Sequence, residues 1–224
     1  MKILFLSDNF PPEVNAPATR TYEHCKEWVK NGNEVTVITS FPNFPIGKVY
    51  KGYKNKLYDI EILDGIKVIR VWTYITKNKG IFGRSLDYFS FFLSSFVSGL
   101  FVNCDIIIGT SPQFFTPIST SLLSFFKRKK WIFEVRDIWP ESIYAVNAIS
   151  KKNLLISFLR YIEINLYKSA NHIVVVTDSF KKDIIHKGIN SNKISVFKNG
   201  CNLDFFKPSP PNEDLLKKYN LKKK

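Results

Sequence analysis

The feature that most narrows the fold of this chain is a regular exchange between short β-branched runs and stretches of helical spacing. The runs are Ile3 to Leu6, Glu34 to Thr39, Asp105 to Ile108, Trp131 to Val135, His172 to Thr177 and Ile194 to Phe197. Short runs of this kind predict buried parallel strands. Between the first two, Ala18, Tyr22, Cys25 and Val29 recur at helical spacing, and Gly32 follows where a helix cap is expected. Further helices are predicted over Leu86 to Phe101, Pro117 to Phe126, Asn153 to Tyr167 and Ser179 to Lys187, the last closed by Gly188. Asp64-Gly65 separates Tyr58 to Leu63 from Ile66 to Trp72 and predicts a tight hairpin, either an insertion or an edge of the main sheet. The expected fold is α/β: a Rossmann-like, doubly wound parallel sheet whose ligands sit at the carboxyl ends of the strands.

With 224 residues the chain has material for one large domain rather than two full ones. Lys207-Pro208-Ser209-Pro210-Pro211 reads as a linker, after which Glu213 to Tyr219 forms one short helix. The net charge of +14 favours polyanions, namely anionic lipid headgroups, phosphorylated carriers or nucleic acid, without choosing among them. Nucleic acid is disfavoured because the lysines are scattered and no helix-turn-helix or aromatic-basic RNA motif appears. The three cysteines, Cys25, Cys104 and Cys201, lie far apart with no metal-type spacing, which fits a reducing cytoplasm. Tyr88 to Val102 is the most apolar stretch; at fifteen residues it falls short of the roughly twenty needed to span a bilayer, so a buried or interfacial helix is expected.

The chemistry is sought at the strand ends. After the first strand comes Asp8-Asn9-Phe10-Pro11-Pro12-Glu13-Val14-Asn15, a proline-stiffened loop without the glycines of a dinucleotide fingerprint. It leads into a helix carrying Arg20. This is a substrate wall with Arg20 facing an anionic or sugar group, or an ordinary loop with a surface arginine. The passage Glu134-Val135-Arg136-Asp137-Ile138-Trp139-Pro140-Glu141 is the most informative. Its carboxylates suit sugar hydroxyls or a developing positive charge and Trp139 suits a sugar face, whereas Arg136 paired with Asp137 or Glu141 would be structural. Thr110-Ser111-Pro112, Asp178-Ser179 and Asn199-Gly200 suit caps and turns as well as contacts. The histidines His24, His172 and His186 have no metal or triad spacing and read as structural. A D-x-D pair, a P-loop, a G-x-S-x-G elbow and an H-E-x-x-H motif are all absent from the sequence.

Taken in order, Phe10-Pro11-Pro12-Glu13, Ala16-Pro17-Ala18-Thr19-Arg20, Phe41-Pro42-Asn43-Phe44-Pro45-Ile46-Gly47, Asp64-Gly65 with Arg70-Val71-Trp72, Thr110-Ser111-Pro112, Arg136 to Glu141, and Asn199-Gly200 with Phe206-Lys207-Pro208 form a recognisable series. The chain resembles the N-terminal domain of family 4 retaining glycosyltransferases of the two-Rossmann GT-B architecture, and within them bacterial capsule, O-antigen and colanic-acid enzymes related to the fucosamine transferases. The resemblance implies an acceptor-binding domain over residues 1–207, with 208–224 as the interdomain linker and the start of a C-terminal donor-binding domain. The acidic E-x(7)-E motif of that second domain is absent, so a truncated product or one half of a two-subunit enzyme is expected. It further implies Asp137 as the catalytic acid near the transferred sugar, and Pro12, Glu13, Arg20, Asn43, Ser111, Arg136, Trp139, Glu141 and Asn199 as substrate-binding. The implied reaction uses a nucleotide-sugar donor, UDP-linked by expectation, and neither metal nor organic cofactor.

Two functional readings follow from the resemblance. In the first, the chain is half of a hexosyltransferase-type enzyme of cell-surface polysaccharide synthesis. It binds a polyprenyl-diphosphate-linked acceptor at the inner face of a bacterial plasma membrane, with Lys51, Lys54, Lys56, Lys77, Lys79 and Arg84 meeting anionic lipid beside the 88–102 stretch. In the second, it is a non-catalytic, membrane-docking acceptor subunit of a split glycosyltransferase. Nucleic acid is a partner in neither.

Overall fold

A computed structural model describes residues 1–76, 81–139, 154–200, 203, 206–208 and 210–220. Its strands are β1 (Lys2–Leu6), β2 (Glu34–Ser40), β3 (Tyr58–Leu63), β4 (Ile66–Val71), β5 (Ile106–Thr110), β6 (Lys130–Val135), β7 (His172–Val175) and β8 (Ile194–Val196). Its α-helices, numbered over the described residues, are α1 (Ala16–Lys30), α2 (Ile81–Leu100), α3 (Phe115–Lys127), α4 (Leu154–Ser169), α5 (Asp178–His186) and α6 (Glu213–Lys218). One eight-stranded sheet runs β3-β4-β2-β1-β5-β6-β7-β8. All neighbours are parallel except β3 and β4, which form the hairpin at the edge of the sheet. Asp64 and Gly65 turn it with φ of 47° and 80°, the left-handed backbone a two-residue turn requires.

Successive side chains of a strand point to opposite faces, and here both faces are buried. In β1, Ile3 and Phe5 join Cys25, Val35, Val37, Ile66 and Val68 beneath α1. Leu4 and Leu6 join a larger cluster with Ile38, Phe91, Leu123, Trp131, Phe133, Tyr167 and Ile173, covered by α2, α3 and α4. Caps fix the helix entries. The Asn15 side chain accepts the Ala18 N–H at the start of α1, and Thr177 does the same for Phe180 at α5.

Two expected boundaries shift for physical reasons. Strand β5 runs on through Gly109 and Thr110, which read as a loop because glycine is poor strand material. Glycine is needed there by packing, since a Cβ at position 109 would lie 2.2 Å from Thr120 Oγ1 of α3. The strand at His172 stops at Val175, leaving Thr177 free to cap α5.

The chain order leaves β1 toward β2 and the hairpin, then returns to β5 on the other side. Neighbouring strands β1 and β5 therefore send their chains in opposite directions, and a crevice opens beyond their carboxyl ends. Gly109→Ala should cost about 1–3 kcal/mol through overpacking against Thr120, read as a lowered urea midpoint with an unchanged slope.

Candidate functional site

The strand register places Leu6, Ile38, Gly109 and Phe133 level across the sheet. The next residues, Ser7-Asp8, Thr39-Ser40, Thr110-Ser111 and Glu134-Val135, accordingly share the carboxyl edge. In the crevice between β1 and β5 lies a cavity of about 50 Å³, bounded by Asp8, Asn9, Tyr88, Thr110, Pro112 and Gln113 among others. That volume suits a few waters or one or two hydroxyl groups.

One side of this crevice is acidic. Burial raises the Asp8 carboxyl well above its usual range, with the nearby Asp87 and Glu13 charges adding to the effect. Burial likewise lifts Asp87 on α2 to about 6, reinforced by Glu13. Both groups thus hold a proton more readily than a surface aspartate, and a protonated acid donates a hydrogen bond to a hydroxyl.

The other side is basic. Arg20 of α1 donates to Thr110 Oγ1 at 3.0 Å and pairs with the buried Glu134, whose carboxylate also stands 3.9 Å from Arg136 Nη1 and from His24 Nδ1. One carboxylate thus serves two guanidinium groups. Burial, together with the field of Arg20, lowers Arg136 to about 10. Burial lowers the Arg20 pKa as well, with Glu134 opposing, and keeps His24 on its neutral side. Arg136 also donates to Asn199 Oδ1, tying the loop after β8 to the loop after β6. Ser111 Oγ accepts the backbone N–H groups of Arg136 (2.7 Å) and Asp137 (3.1 Å), which fixes where that loop leaves the sheet.

The residues expected to meet substrate separate into groups. Arg20, Ser111, Arg136, Asp137, Trp139 and Asn199 come together around the ends of β5, β6 and β8. Asp137 is exposed at the rim, and Arg136 pairs with Glu134 rather than with Asp137. Trp139 is half-buried against Phe114 at 5.8 Å between ring centroids, and its indole nitrogen donates to no described residue. Glu13 needs correction: it is buried, and its Oε1 accepts the N–H groups of Asn43 (2.7 Å) and Phe44 (2.8 Å), so it braces two loops instead of offering a free carboxylate. The Asn43 amide is spent on the Phe41 carbonyl. Pro12 stands exposed beside them, and Glu141 lies outside the described residues, as do Lys77 and Lys79. Sequence reasoning missed Asp87, Tyr88 and Gln113, and it quoted Asp8 and Glu134 within informative passages without singling them out. The signal for Glu134 was its register opposite Thr110, and only the fold brings Tyr88 of α2 beside the segment that follows β1.

The Pro-rich loop is held by Arg70 of β4, itself only 1% exposed. Its guanidinium donates to Glu61 (2.7 Å), to the Ser40 carbonyl (3.0 Å) and to the Pro11 carbonyl, so it clamps β2, β3 and the loop after β1 together. Among the described residues no cluster of three or more metal-ligating side chains occurs.

An open α/β sheet with a polar crevice at its switch point defines a Rossmann-like binding domain, of the kind that forms one half of GT-B glycosyltransferases. The profile of Glycosyltransferase Family 4 matches residues 17–205, and the chain belongs to that family. It is 24% identical over 205 residues to a protein of Escherichia coli (strain K12) named as a colanic acid biosynthesis glycosyl transferase, WcaI, covering 89% of this chain and 50% of that one. Among solved structures it resembles Anabaena HepE in complex with UDP-glucose, with a TM-score of 0.59, 15% identity, and 98% of this chain on 49% of that one. It also resembles sucrose-phosphate synthase of Thermosynechococcus elongatus, with a TM-score of 0.63, 11% identity, and 99% of this chain on 53% of that one. The chain spans about half the length of each of these relatives.

Because folded Asp87 keeps its proton to about pH 6, its contribution to stability is full below about pH 4 and is lost as the pH rises through 6. Urea unfolding of wild type and Asp87→Asn should therefore show the wild type losing stability relative to the variant across that window.

Proposed function

We propose that this chain is the acceptor-binding half of a retaining, nucleotide-sugar-dependent glycosyltransferase of cell-surface polysaccharide synthesis. The carrying observation is the crevice at the switch point, where the proton-holding Asp8 lines a cavity sized for hydroxyl groups and Thr110 on the same cavity accepts from the half-buried Arg20. Acceptor hydroxyls bind at Asp8, Tyr88 and Gln113. A phosphate-bearing substrate binds on the side of Arg20 and Arg136, and Asp137 stabilises positive charge developing at the anomeric carbon of the transferred sugar. The donor is a UDP-sugar, by analogy with the UDP-glucose bound to HepE, and its nucleotide is held mainly by a C-terminal half. No metal or organic cofactor takes part in this scheme.

The acceptor is lipid-linked, and the domain works peripherally at the inner face of a bacterial plasma membrane. Helix α2 supports this reading: Phe89, Leu93, Val97 and Leu100 recur at helical spacing and are all exposed. No described helix is long and apolar enough to cross a membrane.

Calorimetric titration with UDP and UDP-sugars tests the proposal. The chain alone should show no micromolar binding, whereas a mixture with a donor-binding half from a relative should bind and transfer sugar. In that mixture Asp137→Asn should lower kcat at least about tenfold, as expected when one charge-stabilising group is lost. Transfer by the chain alone would overturn the half-site reading.

A further inference from the structure

Helices α2 and α3 pack closely along one seam and leave large apolar side chains exposed. On α2 the stripe facing the protein is Phe91, Ser95 and Gly99, and on α3 it is Thr116, Ser119, Thr120 and Leu123, all buried. In the buried part of their seam the two helices meet through small groups: the Ser95 and Ser119 hydroxyls lie 3.0 Å apart and a Cβ on Gly99 would lie 2.5 Å from Leu123 Cδ1, and Phe92 meets Phe115 beside it. Other large side chains are left outside. At the C-terminal ends of the pair, Phe101, Phe125 and Phe126 are 85%, 77% and 62% exposed. Their neighbourhood is defined by contact: Lys127 Nζ donates to the Leu100 carbonyl at 2.8 Å, Phe126 stands edge-on to Phe96 at 5.7 Å, and Phe125 edge-on to Phe126 at 5.5 Å.

This aromatic knob is collared by four consecutive cations, Lys127, Arg128, Lys129 and Lys130. Arg128 takes a left-handed φ of 53°, which turns the chain sharply into β6. The described Asp and Glu residues nearest in sequence are Asp105 and Glu134, and neither lies in the knob or its collar. Because α2 and α3 each precede a strand, the knob sits at the amino edge of the sheet, the edge opposite the crevice.

We infer that the Phe101–Phe125–Phe126 knob and its Lys127–Lys130 collar form a bilayer anchor, seating the aromatic rings among acyl chains and the cations at anionic headgroups. The occupant is an anionic lipid surface. Exposed aromatics suit the interface between water and hydrocarbon, and a run of four cations supplies the complementary charge. This rests on the membrane reading above and adds a second, distal point of attachment. Thirteen residues, about 20 Å of helix, separate Tyr88 at the crevice from Phe101 in the knob. Attachment at both ends lays α2 along the membrane plane and holds the crevice at a fixed height above it.

Co-sedimentation with vesicles of phosphatidylcholine, with and without phosphatidylglycerol, tests this on the whole chain. Phe101→Ser with Phe125→Ser should bind phosphatidylglycerol vesicles at least tenfold more weakly than wild type while melting at the wild-type temperature. Arg128→Gln with Lys130→Gln should lose the preference for the anionic vesicles. Phe125→Trp should be quenched by lipids brominated on the acyl chain. Wild-type binding that neither pair of substitutions weakens, with no quenching at position 125, overturns the anchor and leaves the membrane reading intact. Failure of the wild type to bind any vesicle overturns both. Saturable binding to a DNA duplex that the Arg128 and Lys130 substitutions abolish, with vesicle binding unaffected, assigns the collar to nucleic acid and overturns the anchor.

Discussion

Glu134 is the constraint on which the site depends. Its carboxylate is almost wholly withdrawn from water, where a lone charge would be prohibitive, and it is tolerated because Arg20 and Arg136 approach it from two different elements. The ion pair fixes helix α1 against the end of β6. Through the bond from Arg136 to Asn199 it also reaches the loop after β8. Three segments distant in sequence are thus set in position by one acid, and their polar groups are oriented before any ligand arrives. Arg70 does the corresponding work on the other flank, where one buried guanidinium holds the proline-rich loop to the ends of β2 and β3.

The polarity of the crevice follows from topology. A parallel sheet delivers all its forward loops to one edge, and the reversal between β1 and β5 opens that edge where Asp8 and Thr110 emerge. Carboxylates arrive from β1 and from α2, while arginines arrive from α1 and β6. Burial favours the protonated form of Asp8 and Asp87, while Arg20 and Arg136 share the carboxylate of Glu134. A ligand that is neutral and hydroxylated at one end and anionic at the other matches this division.

Much of the fold was legible because its signals are local. Every strand and the hairpin turn at Asp64-Gly65 follow from β-branched runs and turn chemistry, and Gly32 and Gly188 mark the ends of helices as expected. The site was legible only in part. The stretch from Arg136 to Trp139 stands out because charged and aromatic residues crowd the end of a strand. Asp87 and Tyr88 do not stand out, since they belong to a helix whose approach to the loop after β1 depends on packing and leaves no periodicity of its own. Glu13 misled for the opposite reason: a carboxylate in a loop looks available until its bonds to the Asn43 and Phe44 amides are seen. Gly109 was left outside a strand read to end at Ile108, when it lies within β5 at the point where α3 touches it.

The contact between α2 and α3 has a further consequence. In a water-soluble pair, large apolar side chains meet between the helices and are driven together by their escape from water. Here hydroxyls, a glycine and leucine methyls meet in the buried seam beside aromatic pairs such as Phe92–Phe115 and Phe96–Phe126, so close backbone approach, dispersion and hydroxyl contacts add to apolar burial. Those forces do not need an aqueous surrounding. The buried part of the seam, where Ser95 meets Ser119 and Gly99 meets Leu123, thus holds by contacts that do not depend on what covers the outer surface of the pair.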